Sequence, residues 1–418
     1  MQKSFKSVFR FKPTYISLVL PKSPDMKKAL IIGMLILSVT LLQFCKSKEN
    51  ITHVYASISN TFGSNINLSQ LENYSNQAVP AYITKDNTAG NPITNAKATL
   101  GRVLFYDKNL SIDNTISCAS CHQQEFAFSD TEIASKGVSG GLTGRHSMRL
   151  INARFSAEAK FFWDERAGTL ELQTTQPIQD HAEMGFSGQN GRPAIGALLT
   201  KLQGINYYQD LFQFAYGNTT ITEQKLQECL AQFIRSIQSF DSKYDVGRAQ
   251  VNNDNQNFPN FTAQENQGKN LFLVPPVFDQ NGIRTTGGLG CGGCHRAPEF
   301  DIDPNSGNNG IIGRLNATGI DVNNTRAPSL RDLVNPSGSL NGNMMHTASI
   351  NSLQSVIGHY GNISIAPGNN RLDPRLRPNG NGQQLNLTAA EVNAVMAFLR
   401  TLTGTNVYTD KKWSNPFN

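Results

Sequence analysis

The sequence predicts a mainly α-helical fold of two similar halves joined by long loops and preceded by an export segment. Three observations support this prediction. Apolar residues recur at helical spacing in several stretches, no stretch alternates convincingly as a strand would, and one five-residue pattern occurs twice. A chain of 418 residues is too long for a single hydrophobic core, and its length suits two domains behind a leader.

The repeated pattern is Cys-x-x-Cys-His, at residues 118–122 and again at residues 291–295. It is the attachment signature of a c-type haem, in which Cys118 and Cys121 bond to one porphyrin and His122 binds its iron. The matching residues of the second copy are Cys291, Cys294 and His295. The histidine after each second cysteine argues against a zinc knuckle or a thioredoxin-type redox pair. We therefore expect two cytochrome-c-like domains, each with one covalently bound haem c.

The first 47 residues have the features of an export signal. An apolar run at residues 29–44 follows two lysines and ends at Cys45, so translation is predicted to begin at Met26. The residues around Cys45 form an imperfect lipobox, which predicts a periplasmic lipoprotein tethered to a membrane. Plain secretion and an uncleaved anchor helix are the alternatives.

Charge and cysteine counts agree with this division. Residues 1–47 hold eight basic groups and one acidic group, a net charge of +7, whereas the whole chain carries +6. The exported part is therefore close to neutral at −1, which offers no basic surface for nucleic acid. Four of the six cysteines would bind haem and Cys45 would carry lipid, so Cys229 is left alone and no disulfide is expected.

The rest of the chain divides into four segments. Residues 48–95 are rich in Asn, Ser and Thr, and are predicted to be a tether or a loosely packed leading segment. The first haem domain is expected at residues 96–250 and the second at residues 256–405, with a polar stretch between them. Residues 406–418 form a tail.

Several helices can be predicted individually. One begins near Ala96, because Leu100, Val103 and Leu104 recur at helical spacing. Another spans residues 222–240, where the apolar stripe consists of Leu226, Leu230, Phe233 and Ile237. Two capping boxes mark further helix starts, and they are Thr262 with Glu265 and Thr388 with Glu391.

Blocks outside the haem motifs resemble a known family. They are residues 100–107 and 110–111, residues 162–166 (Phe-Trp-Asp-Glu-Arg), residues 183–185 (Glu-Met-Gly), residues 326–331 (Arg-Ala-Pro-Ser-Leu-Arg) and a closing helix at residues 391–402. Together with the two motifs they resemble the bacterial dihaem cytochrome c peroxidases, a family that also contains the MauG-type enzymes. The resemblance covers roughly residues 96–403.

The resemblance implies a peroxide-cleaving site in the first half. Cleavage at a ferric haem needs an open iron face and a group that moves a proton between the two oxygens. Glu183 matches the family's distal acid/base, and a carboxyl beside a buried haem has a raised pKa. Gln173 matches a residue that would hydrogen-bond peroxide. The alternatives are that Glu183 is a solvated glutamate in a loop and that Gln173 is an ordinary exposed residue of a helix.

Other residues of the first half have two interpretations each. Trp163 matches the family's tryptophan between the haems, where it would relay an electron, and it could equally anchor a core. Arg166 and Arg102 would bind haem propionates or form surface ion pairs. His181 would tune Glu183 or be a loop histidine without a role at the iron.

His146 stands where many family members have an asparagine that binds a calcium ion. The replacement puts calcium in doubt for this chain. His146 could instead close the distal face of the first haem iron. We favour the alternative, a five-coordinate first haem that is ready for peroxide.

In the second half, the resemblance places the family's distal iron ligand at Tyr360. The peroxidases of the family have methionine at this position, and the MauG-type members have tyrosine. A phenolate favours ferric iron, whereas a thioether favours ferrous iron. The alternative ligands are His359 and Met345, with Tyr360 then only packing. His346 resembles a family histidine near the haems, but its role is open.

These expectations combine into a function. The chain is predicted to be a dihaem peroxidase that reduces hydrogen peroxide to water with electrons from a small cytochrome c or cupredoxin. A MauG-like oxidase of a protein or organic substrate is one alternative, and a non-catalytic electron-transfer cytochrome is another. The family resemblance also leaves a homodimer open.

Overall fold

The fold of the chain is known from a computed structural model that describes residues 55–157, 160–301 and 306–417. The described residues from Ser57 onward form one compact unit. The helices, in chain order, are α1 (Ala56–Phe62), α2 (Asn95–Tyr106), α3 (Leu170–Thr174), α4 (Gln176–Gln179), α5 (Ile195–Gln203), α6 (Asn206–Tyr216), α7 (Glu223–Ser236), α8 (Lys243–Arg248), α9 (Ala263–Leu273), α10 (Leu353–Gly361) and α11 (Ala389–Arg400). The prediction of a mainly α-helical chain with long loops is confirmed for the described residues.

In the first half, α2 packs against α7. Thr94 caps α2 through its side chain, and the predicted residues Leu100, Val103 and Leu104 are buried. The two backbones cross closely, because a Cβ atom at Gly101 would lie 2.0 Å from the carbonyl oxygen of Cys229. This contact fixes the helix that leads to the first haem motif.

The second half repeats this arrangement with α9 and α11. Both predicted capping boxes are present, at Thr262 and at Thr388. A Cβ atom at Gly268 would lie 1.9 Å from the carbonyl oxygen of Ala394, so these helices also cross backbone to backbone. The core around them is rich in aromatic side chains, among them Tyr244, Phe258, Phe272, Phe300 and Phe398.

Two details differ from the prediction. The helix predicted over residues 222–240 ends at Ser236, where the carbonyl of Ile237 accepts a hydrogen bond from the Asn152 amide instead of continuing the helix. A short antiparallel hairpin, β1 (Pro276–Phe278) and β2 (Arg284–Gly287), was not predicted. Its strands are too short to show an alternating pattern; β1 is half-buried and β2 is largely exposed.

The prediction of a tether or loose segment at residues 48–95 is wrong for residues 55–95. Tyr74 is fully buried, and its hydroxyl donates to the carbonyl of Lys412 at 2.6 Å. The Tyr82 hydroxyl donates to Asp245 at 2.7 Å, and Lys85 pairs with Glu299 at 2.9 Å. Isolated anchors in a polar sequence carry no periodic signal, so the composition suggested a tether or loose packing.

The predicted leader lies outside the described residues, and with it Met26 and the lipid-bearing Cys45. Within residues 55–157, 160–301 and 306–417, no helix has both the length and the apolar character needed to cross a membrane. No disulfide joins the five cysteines in this part of the chain. The division into haem domains at residues 96–250 and 256–405 stays a prediction.

Candidate functional site

Each haem motif folds into one tight turn. In the first, residues 118–120 form a 3₁₀ turn capped by Ser117 and Ser120, and the amide of His122 donates to the carbonyl of Cys118 at 3.0 Å. The turn gathers both thiols and the imidazole into a single short segment. A porphyrin attached through both thiols would therefore have His122 beside its iron.

The second motif forms the same kind of turn, although no side chain caps it. A 3₁₀ turn covers residues 291–293, and the amide of His295 donates to the carbonyl of Cys291 at 2.9 Å. Burial lowers the pKa of His295 to about 4 and also lowers the pKa of His122. Both imidazoles are thus neutral at physiological pH, which is the form that binds a metal.

A cavity of about 690 Å³ opens beside the first motif, and we call it cavity 1. Its volume is within the range of cofactor pockets, roughly 300–1,000 Å³. Its wall includes Cys118, Cys121 and His122, and His122 Nδ1 donates to the carbonyl of Phe128 at 3.3 Å. That bond leaves Nε2 of His122 as the ligand nitrogen, so the residues fit a haem c here.

Glu183 and Gln173 line the same cavity 1 as the first motif. Burial raises the pKa of Glu183 to about 7; the nearby carboxylate of Asp180 adds to the rise, and Arg166 opposes it. A carboxyl with this pKa can both accept and donate a proton near neutral pH. Cavity 1 therefore brings together the carboxyl and amide side chains that were predicted for peroxide chemistry, and their roles stay predictions.

The loop that carries Glu183 is held by close backbone contacts. Asp180 Oδ1 accepts hydrogen bonds from the amides of Ala182 and Glu183, at 2.8 and 3.1 Å. The carbonyl of Glu183 accepts from the Val138 amide at 2.9 Å. A Cβ atom at Gly137 would lie 1.9 Å from the Ala182 carbonyl oxygen, so only glycine allows this approach. Gly137 thus helps to set where Glu183 stands.

A second cavity, of about 500 Å³, opens beside the second motif, and we call it cavity 2. Its wall includes Cys291, Cys294 and His295, so the residues there fit a second haem c. The two cavities share part of their walls. The shared residues are His146, Ser147, Met148, Arg149, Trp163, Arg326 and Pro328.

Trp163 occupies this shared wall and is hydrogen-bonded on both sides. Its indole nitrogen donates to the His146 carbonyl at 2.7 Å. Its own carbonyl accepts from the amides of Thr325 and Arg326, at 2.9 and 3.0 Å. The ring of His346 packs edge-on against the indole, with centroids 6.2 Å apart. The side chain predicted to lie between the haems therefore stands between the two cavities.

His146 lines both cavities as well. Its Nδ1 donates to the Glu132 carbonyl at 2.9 Å, and its Nε2 is buried with no hydrogen-bond partner among the described residues. Burial lowers the pKa of His146, so a lone pair on Nε2 is free for a ligand. Whether His146 closes the first haem iron stays a prediction.

Tyr360 and Met345 line cavity 2, whereas His359 does not. His359 Nε2 donates to the Asn309 carbonyl at 2.8 Å, which makes it the weakest of the three predicted ligands. Burial raises the pKa of Tyr360 well above its usual value, and a hydrogen bond from Asn309 acts in the opposite direction. A free phenol there is protonated, and binding to a ferric ion is what would deprotonate it.

Three further sequence-predicted residues lie in different surroundings. Arg102 is buried away from both cavities, where its Nε donates to the Ser414 carbonyl at 2.6 Å, so it is not a propionate ligand. His181 is outside cavity 1 and bonded to Ser187 Oγ at 2.9 Å. Arg166 does line cavity 1 and pairs with Asp164 at 2.9 Å.

Sequence reasoning missed Arg149 and Asn309. Arg149 is in the wall that both cavities share, and Asn309 is beside Tyr360 and Met345 in cavity 2. Neither belongs to a motif, and Asn309 is separated from its contacts by 36 and 51 residues, so no sequence signal could have found it. No group of three or more acidic, histidine or cysteine side chains in the described ranges could hold a metal ion, and calcium stays untested.

Comparisons with known proteins agree with this geometry. Residues 95–253 match the family profile described as di-haem cytochrome c peroxidase. The chain is 29% identical to the methylamine utilization protein MauG of Methylophilus methylotrophus over 75% of this chain and 84% of that protein. It is 26% identical to the cytochrome c551 peroxidase of Nitrosomonas europaea over 73% of this chain and 80% of that protein.

The fold has a close counterpart among solved structures. A MauG-like protein associated with microbial copper homeostasis superposes with a TM-score of 0.62 at 27% identity. The match covers 82% of this chain and 99% of that protein. Relatives named as peroxidases and relatives named as MauG thus match over similar shares of the chain.

Proposed function

The chain belongs to the dihaem cytochrome c peroxidase and MauG family, and we propose that it reduces hydrogen peroxide to water in cavity 1. Membership makes the protein an oxidoreductase of the dihaem type, which implies two haem c groups. The observation that carries the proposal is Glu183, whose pKa of about 7 occurs in the same cavity as the motif at residues 118–122.

Cys118, Cys121 and His122 would hold a haem, haem 1, whose iron would supply the site at which the O–O bond of peroxide is broken. Glu183 is placed to take a proton from one oxygen of the peroxide and return it to the other, which would then leave as water. The Gln173 amide donates a hydrogen bond that orients the peroxide. The reaction consumes one peroxide, two electrons and two protons, and it yields two waters.

Trp163 is the proposed electron relay between the cavities. Its side chain lines both cavities, the hydrogen bond from the indole nitrogen to the His146 carbonyl fixes the ring, and the amides of Thr325 and Arg326 hold the backbone carbonyl. A fixed aromatic ring keeps one distance to each site, which an electron relay requires. Electrons would come from a small cytochrome c or cupredoxin that docks near haem 2, held by Cys291, Cys294 and His295.

A MauG-like activity is the second candidate, and Tyr360 favours it. Its side chain lines cavity 2, where a phenolate ligand would stabilise ferric and higher oxidation states. An enzyme of that kind would withdraw electrons from a protein or organic substrate rather than receive them from a redox carrier. The two candidates share cavity 1 and differ in the use of haem 2.

Several further features of the protein remain proposals. They are export to the periplasm, tethering through lipid at Cys45, the start at Met26, two haem domains at residues 96–250 and 256–405, a homodimer, and a five-coordinate first haem that His146 leaves open. Export is supported by the haem motifs, because haem c is joined to such motifs outside the cytoplasm.

Steady-state turnover of peroxide by the holoprotein tests the proposal. We expect the protein to carry two covalent haems, one of them high-spin and reactive with peroxide as isolated. With a reduced small cytochrome c, peroxide should disappear at a ratio of two donor molecules oxidised per peroxide. Two low-spin haems that stay silent until reduced would contradict the proposed open site, and replacement of His146 would then identify the closing ligand.

A further inference from the structure

Asn309 touches both of the side chains in cavity 2 that could bind the iron of haem 2. Its Nδ2 atom lies 3.1 Å from Met345 Sδ and 3.3 Å from Tyr360 Oη. The two candidate ligand atoms are therefore no more than about 6.4 Å apart, the sum of those distances. An amide nitrogen carries two hydrogens, so both bonds can form at once.

The Asn309 amide is fixed in this orientation by its neighbours. Its Oδ1 accepts from the Ile311 amide at 3.1 Å, which turns Nδ2 rather than Oδ1 toward the two ligand atoms. Its carbonyl accepts from His359 Nε2 at 2.8 Å, which anchors the backbone. The contacts of Asn309 thus leave its two N–H groups for Tyr360 and Met345.

The two side chains favour opposite oxidation states of iron. A phenolate is a hard, anionic donor that stabilises ferric iron, whereas a thioether is a soft donor that stabilises ferrous iron. If only Tyr360 or only Met345 bound the iron, no hydrogen-bond donor in contact with both side chains would be needed. The shared amide keeps each ligand atom next to the other.

We propose that Asn309 is a positioning residue that holds Tyr360 and Met345 as alternative ligands of haem 2, Tyr360 on ferric and Met345 on ferrous iron. When the small redox donor reduces haem 2 by one electron, the Tyr360 phenolate would leave the iron and take one proton from a hydronium ion of the solvent, and the Met345 thioether would bind in its place. This inference rests on the proposed attachment of haem 2 at Cys291 and Cys294. The exchange of ligands would stabilise haem 2 in both its ferric and its ferrous state, which a site that stores one electron requires.

Absorption spectra and midpoint potentials of haem 2 in the full holoprotein test the exchange. In the wild type we expect tyrosinate bound to ferric iron and thioether bound to ferrous iron. Met345→Leu should leave the ferric spectrum unchanged and alter the ferrous one. Tyr360→Phe should give a ferric thioether complex and raise the midpoint potential.

Asn309→Asp tests the positioning role itself. The aspartate keeps an oxygen for the Ile311 amide and the shape of the side chain, but it loses both N–H donors. We expect the wild-type spectra of haem 2 to be lost in both oxidation states while the covalent haem remains. His359→Gln is the matched control, because it keeps a donor for the Asn309 carbonyl and should leave both spectra unchanged.

Three outcomes would overturn the inference: a five-coordinate haem 2 in Tyr360→Phe, ferrous Met345→Leu identical to the wild type, or wild-type spectra in Asn309→Asp. Failure of the proposed function can be told apart from these. A protein without peroxide turnover but with the expected spectra would refute the peroxidase and keep the ligand exchange. A protein with turnover but one fixed ligand would do the reverse.

Discussion

The indole nitrogen of Trp163 donates a hydrogen bond to the backbone carbonyl of His146 at 2.7 Å, in the wall that separates the two cavities. The bond fixes the indole plane, and the carbonyl of Trp163 fixes the backbone through Thr325 and Arg326. A side chain held in this way from both halves of the chain is suited to relay electrons.

Trp163→Phe should keep both haems but slow peroxide turnover with an external donor, because phenylalanine fills part of the space and is a poorer one-electron relay. The measurement is the rate at which haem 1 is re-reduced after peroxide. Trp413→Phe is the control variant, because Trp413 is a buried tryptophan that lines neither cavity, and its indole donates to Ser236 Oγ at 3.3 Å. Equal rates in Trp163→Phe and the wild type would refute the relay.

The pH at which peroxide turnover rises on the acidic side of its pH profile should depend on Asp180. Glu183 accepts a proton only when ionised, so turnover should rise with pH through about 7. Asp180→Asn keeps the Oδ1 acceptor for the amides of Ala182 and Glu183 but removes a negative charge that raises the pKa of Glu183. The rising limb should therefore move to lower pH, because Arg166, which lowers the pKa of Glu183, would remain in place. A limb that stays in place, or moves upward, would be evidence against Glu183 as the base.

Gly137→Ala should displace the loop that carries Glu183, because the new Cβ would lie 1.9 Å from the Ala182 carbonyl oxygen. Misplacing a catalytic group by about 1 Å costs up to about 10²-fold in rate, so turnover should fall while both haems stay bound. Gly168→Ala, where nothing lies within 4 Å of the added Cβ, is the control and should keep full turnover. If both variants turn over peroxide equally, the loop tolerates the shift and the argument from Gly137 fails.

Arg331→Met should lower the free energy of unfolding by about 3–5 kcal/mol, the usual cost of breaking a buried ion pair. The Arg331 guanidinium is fully buried and makes two bonds to the Asp245 carboxylate, at 2.9 and 3.0 Å. Denaturant unfolding of the holoprotein measures the loss. Lys243→Met breaks a pair with Glu265 in which the lysine is 42% exposed, and it should change stability by no more than about 1 kcal/mol.

The same pair predicts how stability depends on pH. Burial alone would raise the pKa of Asp245, but the adjacent Arg331 lowers it below the ordinary value. The stabilisation is therefore complete above the carboxyl's unfolded pKa and is lost as the pH falls through the lower, folded value. Arg331→Met should remove this part of the acid dependence, and an unchanged acid limb of stability would show that the pair does not contribute.

The sequence predicted the parts of the site that depend on local order. Cys-x-x-Cys-His folds as one turn in both halves, and the capping residues Thr262 and Thr388 start their helices as expected. Glu183 and Trp163 were assigned by resemblance to a family, and the structure puts both at cavity walls. Local pattern and known motifs therefore carried most of the predicted site.

What the sequence did not predict depends on contacts between distant residues. Asn309 meets Met345 and Tyr360 only after the chain has folded, and Arg102 is bonded to Ser414, 312 residues away. The packing of residues 55–95 depends in the same way on single anchors such as Tyr74. No periodicity or spacing rule describes pairs of this kind.

Peroxide turnover by Glu183→Gln tests the central claim most directly, since the glutamine keeps the shape of the side chain and loses the carboxyl that moves the proton. The variant should retain both covalent haems and their spectra, and its turnover with a reduced cytochrome c should fall by about 10²-fold or more. Turnover equal to that of the wild type, with full haem content, would contradict the assignment of cavity 1 as the site of peroxide reduction.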